Sequence, residues 1–231
     1  SSAASDVYKR QDLYGCALCI REEIYASDHP MVLATKNNIA QVYASEERYG
    51  EAISLFETVI REYRENSTED SAFLATVYDN LSTAYREMER YEDAIDICTE
   101  GLNIRKDIYG KRSLDYAISL NNLALIYYEM GILNDAADIF SEALAIKKET
   151  LPEIHGQISI GYFNLGLVYD KLHRDNEALE NYRASMEIDN ELEAYEDVLL
   201  TAEYIAEIYE RNDMPEDAEA YRTLCSKDDV H

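Results

Sequence analysis

The sequence predicts an all-α fold of antiparallel helix pairs that stack side by side into a solenoid. Four columns of residues recur every 42 positions, apolar residues within each copy follow helical spacing, and polar or helix-breaking segments separate the copies. The recurring residues are Tyr43, Tyr85, Tyr127 and Tyr169; Asn38, Asn80, Asn122 and Asn164; Ile39, Leu81, Leu123 and Leu165; and Ala52, Ala94, Ala136 and Ala178. Because a lone helix pair cannot bury both of its faces, neighbouring copies are expected to share one continuous core.

Each copy contains two helical patterns. In the first, Leu120, Leu123, Ala124 and Tyr127 follow the i, i+3, i+4, i+7 spacing of one helix face. In the second, Ala136, Ile139, Phe140, Ala143 and Leu144 do the same. Short polar turns such as Glu89-Arg90 and His173-Arg174 join them, and acidic or amide residues open each second helix, where a carboxylate favours the positive end of the helix dipole.

The copies are predicted to fill most of the chain. We expect a leading half copy at 12–27, five copies at about 31–64, 73–106, 115–148, 157–191 and 198–226, and a tail at 227–231. Breakers such as Asp28-His29-Pro30 and Leu151-Pro152-Glu153 separate them. Small residues occupy the positions at which two helices must approach closely, namely Ala40, Ser82, Ala124, Gly166 and Ala206 in the first helices.

The first eleven residues are predicted to be foreign to the natural protein. Every residue of Ser1-Ser2-Ala3-Ala4-Ser5-Asp6-Val7-Tyr8-Lys9-Arg10-Gln11 matches the in-frame translation of a transposase sequencing adapter. The alternative is a natural Ser/Ala-rich tail. We therefore exclude residues 1–11 from fold reasoning and expect the natural protein to extend upstream.

The column order resembles the tetratricopeptide repeat, in which Asn-Leu-Ala-x-x-Tyr is followed by Ala-x-x-x-Phe-x-x-Ala. The run Leu120-Asn121-Asn122-Leu123-Ala124-Leu125-Ile126-Tyr127 and the 42-residue period are similar to the kinesin-light-chain-like subclass. The resemblance covers nearly all of residues 12–226. It implies a right-handed superhelical solenoid whose first helices line a concave groove, and a non-catalytic role in protein–protein interaction.

Composition restricts the partners that the protein can have. Lys+Arg total 21 and Asp+Glu total 47, which gives a formal net charge of −26. Phosphates would be repelled, so we expect neither nucleic acid nor an anionic membrane surface as a partner. No apolar run reaches the roughly 18 residues of a membrane span. The four spread cysteines do not suggest a disulfide framework, which is compatible with the cytoplasmic location that we expect. A protein or peptide of neutral to basic character fits this charge, and the most acidic stretch, 187–219, is either a solvated face or a surface that attracts it.

No combination of residues indicates catalysis, a metal or a cofactor. Cys16 and Cys19 form a Cys-x-x-Cys, but no preceding strand and no second pair accompany it, so a packing role is expected. Cys98 and Cys225 fall on packing positions of other copies. The four histidines, His29, His155, His173 and His231, do not fall at ligand spacing from one another. No phosphate-binding loop or nucleophile motif is present, so the chain is not expected to be an enzyme.

The asparagine column is the predicted binding site. Each asparagine precedes the core Leu or Ile of a first helix, so we expect the amides to form a ladder along the groove, where they could bind the backbone of an extended peptide. The candidate residues are Asn37, Asn38, Gln41, Asn80, Thr83, Asn121, Asn122 and Asn164. The alternative is that these amides stabilise helix packing through local hydrogen bonds.

Some tetratricopeptide domains grip the carboxylate of a peptide with lysine, and this chain lacks that feature. The neighbouring groove positions are Ala34, Thr76, Ile118, Ile160 and Leu200. Two other functions stay open. The repeats could be the sensor or regulatory arm of a larger catalytic or DNA-binding protein whose upstream part is missing, or they could self-associate through uncapped ends.

Overall fold

The computed structural model describes the backbone of residues 2–66 and 71–225, and the side chains of residues 13–65 and 71–224. All regular secondary structure in these ranges is α-helical, and successive helices form antiparallel pairs, which confirms the predicted fold class. The chain divides into two compact units, residues 1–110 and residues 111–231. The predicted tail at 227–231 lies outside the described residues.

Unit 1 contains one leading helix and two helix pairs. The bounds are α1 Ser2–Ile24, α2 Pro30–Ser45, α3 Tyr49–Asn66, α4 Ala72–Glu87 and α5 Tyr91–Tyr109. Helices α2 and α3 form the first pair, and α4 and α5 form the second. Helix α1 packs on α2, and α3 packs on α4. Because α1 begins at Ser2, it includes most of the segment that matches a translated adapter.

Unit 2 contains three helix pairs. The bounds are α6 Leu114–Glu129, α7 Leu133–Thr150, α8 Gly156–Lys171, α9 Asp175–Glu191, α10 Tyr195–Arg211 and α11 Pro215–Cys225. Each second helix packs on the first helix of the next pair, α7 on α8 and α9 on α10. We call the earlier helix of each pair its first helix. The first helices are α2 and α4 in unit 1 and α6, α8 and α10 in unit 2.

The turn inside every pair has the same backbone geometry. One residue takes a positive φ of 56–78° at corresponding positions, and these residues are Glu47, Glu89, Gly131, His173 and Asp213. The next residue donates its N–H to the carbonyl of the recurring tyrosine, as Arg90 does to Tyr85 at 2.9 Å. This is the Schellman pattern that ends an α-helix, and it allows the chain to reverse within a few residues.

The recurring tyrosines also bind the turns through their rings. In three pairs, the arginine directly before the second helix lies over the ring of a tyrosine near the end of the first helix. The distances from the guanidinium carbon to the ring centroid are 4.3 Å for Arg48 over Tyr43, 4.4 Å for Arg90 over Tyr85 and 4.6 Å for Arg174 over Tyr169. Each arginine also pairs with an acid three residues later, namely Glu51, Asp93 or Glu177. The tyrosine column therefore stabilises the turn as well as the core.

The small-residue columns lie where helices are in closest contact. Ala52, Ala94, Ala136 and Ala178 are fully buried. Gly166 is the extreme case, because a Cβ built there would stand 2.5 Å from ring carbons of Tyr182. The close approach of the α9 ring therefore requires glycine at this position of α8.

Candidate functional site

The predicted site residues all lie on first helices, and in each unit we call the surface that carries them the amide face of that unit. In unit 1 it consists of Asn37, Asn38 and Gln41 on α2 and Asn80 and Thr83 on α4. In unit 2 it consists of Asn121 and Asn122 on α6 and Asn164 on α8.

The structure brings four of these residues together in two matching pairs. The Asn80 side-chain amide donates to Oδ1 of Asn37 at 3.1 Å, and Asn164 donates to Oδ1 of Asn121 at the same distance. Both bonds join residues 43 apart, so an amide on one first helix reaches the neighbouring column on the preceding first helix. Within each unit, one hydrogen bond between side-chain amides thus joins two neighbouring first helices.

The remaining amides differ in what they offer to a ligand. Asn38 and Asn122 are half-buried, and their side chains make no hydrogen bond to a described residue. Gln41 and Thr83 are exposed, although the Thr83 hydroxyl donates to the carbonyl of Asp79 at 3.0 Å. Asn38, Asn122 and Gln41 therefore keep donors and an acceptor for another molecule.

Sequence reasoning missed the pairing because it followed a single column at the 42-residue step. The signal was present in the doubled amides Asn37-Asn38 and Asn121-Asn122, since the partner of each first asparagine stands 43 residues on. The same step places Nζ of Lys171 3.9 Å from the ring centroid of Tyr128. Side chains that meet between neighbouring first helices are thus 43 residues apart, which is one repeat plus one residue.

Unit 2 also contains an aromatic cluster. The rings of Phe163 on α8, Tyr182 on α9 and Tyr204 on α10 have centroids 5.4–5.6 Å apart. Tyr182 is fully buried, and its hydroxyl has no hydrogen-bond partner among the described residues. Burial raises the pKa of Tyr182, and the nearby carboxylate of Asp170 adds to that shift. The sequence predicted packing for this tyrosine and contained no signal for the unpaired hydroxyl.

Charged residues near the aromatic cluster form ion pairs with one another. Arg211 on α10 pairs with Asp170 on α8 and with Asp175 on α9. Asn212 donates to Asp175 at 2.6 Å. The hydrogen bond from Arg211 lowers the pKa of Asp175, so the carboxylate stays ionised. These contacts tie α8, α9 and α10 together.

The positions of a lysine clamp carry short or apolar side chains. Ile160 on α8 and Leu200 on α10 are 54% and 45% exposed, which is high for large aliphatic residues. Thr76 on α4 is exposed and donates to the carbonyl of Ala72. A peptide carboxylate would find no cation at these positions.

The structure also shows where the cysteines and histidines lie, and it corrects the prediction for Cys16 and Cys19. Cys16 and Cys19 are exposed, so the predicted packing role is wrong for them, because α1 packs mainly on α2 and these two side chains remain accessible to solvent. Cys98 is buried, which raises its pKa to about 12. His29 and His155 cap α2 and α8. The histidine His231 and the side chain of Cys225 lie outside the described residues.

Neither a metal-binding group nor a membrane-spanning helix is present in the described part of the chain. No group of three or more His, Cys, Asp or Glu side chains there could hold a metal ion. Among the described helices, none combines the length and the apolar character that crossing a bilayer requires.

Comparison with known sequences identifies the repeat. The tetratricopeptide repeat family is matched over residues 32–67, 70–149 and 161–192. Domains of this kind are usually not catalytic. A comparison with curated proteins returns no match.

Two of the solved structures with the same fold match this chain over most of its length. BtubC (BKLC) from P. vanneervenii is 17% identical with a TM-score of 0.83, over 97% of this chain and 93% of that one. A Podosopora anserina protein assigned as a kinesin light chain with nearly identical TPR-like repeats is 19% identical with a TM-score of 0.75, over 88% and 99%.

A third similar structure contains a peptide. The Rap conjugation gene regulator of plasmid pLS20, solved in complex with the Phr* peptide, is 18% identical with a TM-score of 0.67. The match covers 84% of this chain and 52% of that protein. The family matches, the paired helices and the recurring Tyr, Asn and Ala columns agree, and the chain belongs to the tetratricopeptide repeat family.

Proposed function

We propose that the amide face of each unit binds an extended segment of a partner protein. The observation that carries the proposal is the set of side-chain amides on first helices that keep unused donors and acceptors, Asn38 and Asn122 above all. A side-chain amide offers two donors and an acceptor, which match the N–H and C=O groups of an extended backbone. The peptide complex of the Rap regulator supports a peptide ligand for this type of fold.

The paired amides have a different role in this proposal. Asn37 and Asn164 are buried, so their mutual bonds with Asn80 and Asn121 hold neighbouring first helices in register. Removing Asn80 would leave the buried Oδ1 of Asn37 without its donor, at a cost of about 1–3 kcal/mol. The pairs are therefore part of the scaffold, and the unpaired amides are the contacts.

The partner segment is neutral to basic. A net charge of −26 attracts basic segments over long range and repels acidic ones. The apolar residues Ile160 and Leu200 at the clamp positions favour contacts with side chains over contacts with a terminal carboxylate.

The test replaces Asn38 and Asn122 with alanine together. Peptides selected from a phage-displayed random dodecapeptide library on the unaltered protein serve as probes. Two lost hydrogen bonds of about 1 kcal/mol each predict an affinity loss of roughly tenfold to thirtyfold. The matched control, Asn103→Ala with Asn134→Ala, removes two exposed amides from second helices and should bind as before. Equal affinity of both double variants would refute the proposal.

Self-association is a second candidate, and one observation favours it. Leu13, Ile20 and Ile24 on α1 are all more than half exposed, and α1 packs mainly on α2. A second copy could cover this surface. Sedimentation at two concentrations tests it: a single species of monomer mass at both concentrations would exclude self-association through α1.

A further inference from the structure

One buried column changes the sign of its charge in the second-to-last repeat. Arg105 on α5 and Lys147 on α7 are followed 42 residues later by Asp189 on α9, and all three are buried. Arg105 forms an ion pair with Asp79 on the first helix of its own pair. The position that corresponds to Asp79 in the pair of Asp189 is Phe163, which has no charge. Asp189 therefore lacks a charged residue at the position where Arg105 has its partner Asp79.

Within the described ranges, the hydrogen bonds to the Asp189 carboxylate come from hydroxyl groups. Asp189 is 5% exposed, and Ser185 Oγ donates to its Oδ2 at 3.4 Å. Among the described residues no cation forms an ion pair with it. Asp189 also lies in the last turn of α9, where the helix dipole is negative and disfavours a carboxylate. Burial first, and then the charge of Asp197, raise the pKa of Asp189.

The carboxylate lines a cavity of about 200 Å³ between α8, α9 and α10. Three hydroxyl residues in its wall are as buried as the acid, namely Ser159, Ser185 and Thr201. The Oγ atoms of Ser159 and Ser185 lie 2.8 Å apart. Oxygen acceptors therefore converge inside the cavity, where an ammonium group with its three donors would find several partners.

The entrance of the cavity is apolar. Ile160, Leu192 and Leu200 line it and are each more than 40% exposed. An aliphatic stem would cover these side chains while its charged end reaches the acid, which is how lysine commonly buries its methylene groups. Phe163 and Asp197 complete the nearby wall, so a second carboxylate adds to the attraction.

We propose that this cavity, which we call the Asp189 cavity, receives the ammonium end of a lysine side chain from the partner segment. The inference rests on the proposed function, because the lysine belongs to a segment bound along the amide face. It goes further by assigning one side chain of the partner to one cavity. A lysine supplies both the cation that Asp189 lacks and the stem that the apolar entrance fits.

The test uses three capped tripeptides, acetyl-Gly-X-Gly-amide with lysine, norleucine or arginine as X, titrated against the whole chain by NMR. Norleucine has a similar aliphatic stem without the ammonium group. The lysine peptide should shift the amide signals of Gly156, Leu192 and Thr201 and bind at least tenfold more tightly than the norleucine peptide. Arginine should bind more weakly than lysine because its planar fork needs a wider site.

Asp189→Asn is the decisive variant, since it keeps the shape and removes the charge. It should abolish the preference for lysine over norleucine and should raise the urea midpoint of unfolding. Asp138→Asn, which changes an exposed acid on α7, is the matched control and should keep the preference. The inference is wrong if norleucine binds as tightly as lysine, if arginine binds more tightly, if the preference survives Asp189→Asn, or if the lysine peptide causes no shifts.

The outcome separates this inference from the proposed function. Library-selected peptides that lose affinity with Asn38→Ala and Asn122→Ala, but not with Asp189→Asn, would support the amide face and overturn the lysine subsite. Loss with Asp189→Asn alone would support the subsite and overturn the amide contacts.

Discussion

At the scale of single residues, Tyr182 can be compared with the residues at the corresponding positions of the other repeats. The corresponding positions carry Phe56, Cys98 and Phe140, so the packing between helices does not need a phenol. The buried hydroxyl of Tyr182 makes no described hydrogen bond and costs free energy.

Tyr182→Phe is expected to raise the free energy of unfolding by about 1 kcal/mol, because it removes a buried polar group and keeps the ring. Urea unfolding followed by circular dichroism measures it. The reciprocal change, Phe140→Tyr, introduces a buried hydroxyl and should lower the free energy of unfolding by a similar amount. A lower stability of Tyr182→Phe would show that the hydroxyl has a partner.

The charge of Asp189 predicts a pH dependence at the same scale. Its pKa in the folded protein is raised, so ionisation of the carboxyl group opposes folding at neutral pH. The stability gain of Asp189→Asn should be full above the raised folded pKa, should shrink as the pH falls through it, and should vanish below the unfolded value of about 3.9. Urea unfolding of both proteins over this range measures the difference. A gain that grows toward low pH would contradict it.

At the scale of the element, the turn inside each helix pair contains one residue with a positive φ, and corresponding positions carry different residue types. His173 at φ 56° and Gly131 at φ 78° occupy corresponding positions in successive pairs. The first is strained by its Cβ, whereas glycine adopts this conformation freely.

His173→Gly should raise the free energy of unfolding by about 1 kcal/mol, because glycine relieves the left-handed strain. Gly131→Ala should lower it by about the same amount through strain alone, since no atom lies within 4 Å of a Cβ built there. Thermal and urea unfolding of both variants measures these changes. Equal stability of Gly131→Ala and the unaltered protein would argue against strain in the turn.

At the scale of the whole molecule, net charge dominates encounters with a partner. With −26 on 231 residues, association with a basic peptide should be electrostatically steered. Stopped-flow mixing with a lysine-containing selected peptide should show an association rate constant that falls at least tenfold from about 10 mM to roughly physiological ionic strength. The dissociation rate constant should change much less. An association rate constant that is independent of salt would refute steering.

The repeat, the helix pairs and the family could be inferred from the amino-acid sequence, because packing requires the same side chain at the same place in every copy. The columns of Tyr43 and Ala52 are repeated for that reason. Burial of the alanines and the tyrosine-capped turns agree with it. The candidate amides could also be found, since a column of asparagines is visible at the step of the repeat.

The contacts between columns required the tertiary structure. The bond from Asn80 to Asn37 depends on how far one first helix is shifted along the next, and a list of corresponding positions contains no such shift. The surroundings of Asp189 are set by three helices at once, and a sequence shows its charge but not whether a cation lies beside it. Local periodicity therefore determines the architecture, whereas the distances between side chains on different helices determine which of them remain available to a partner.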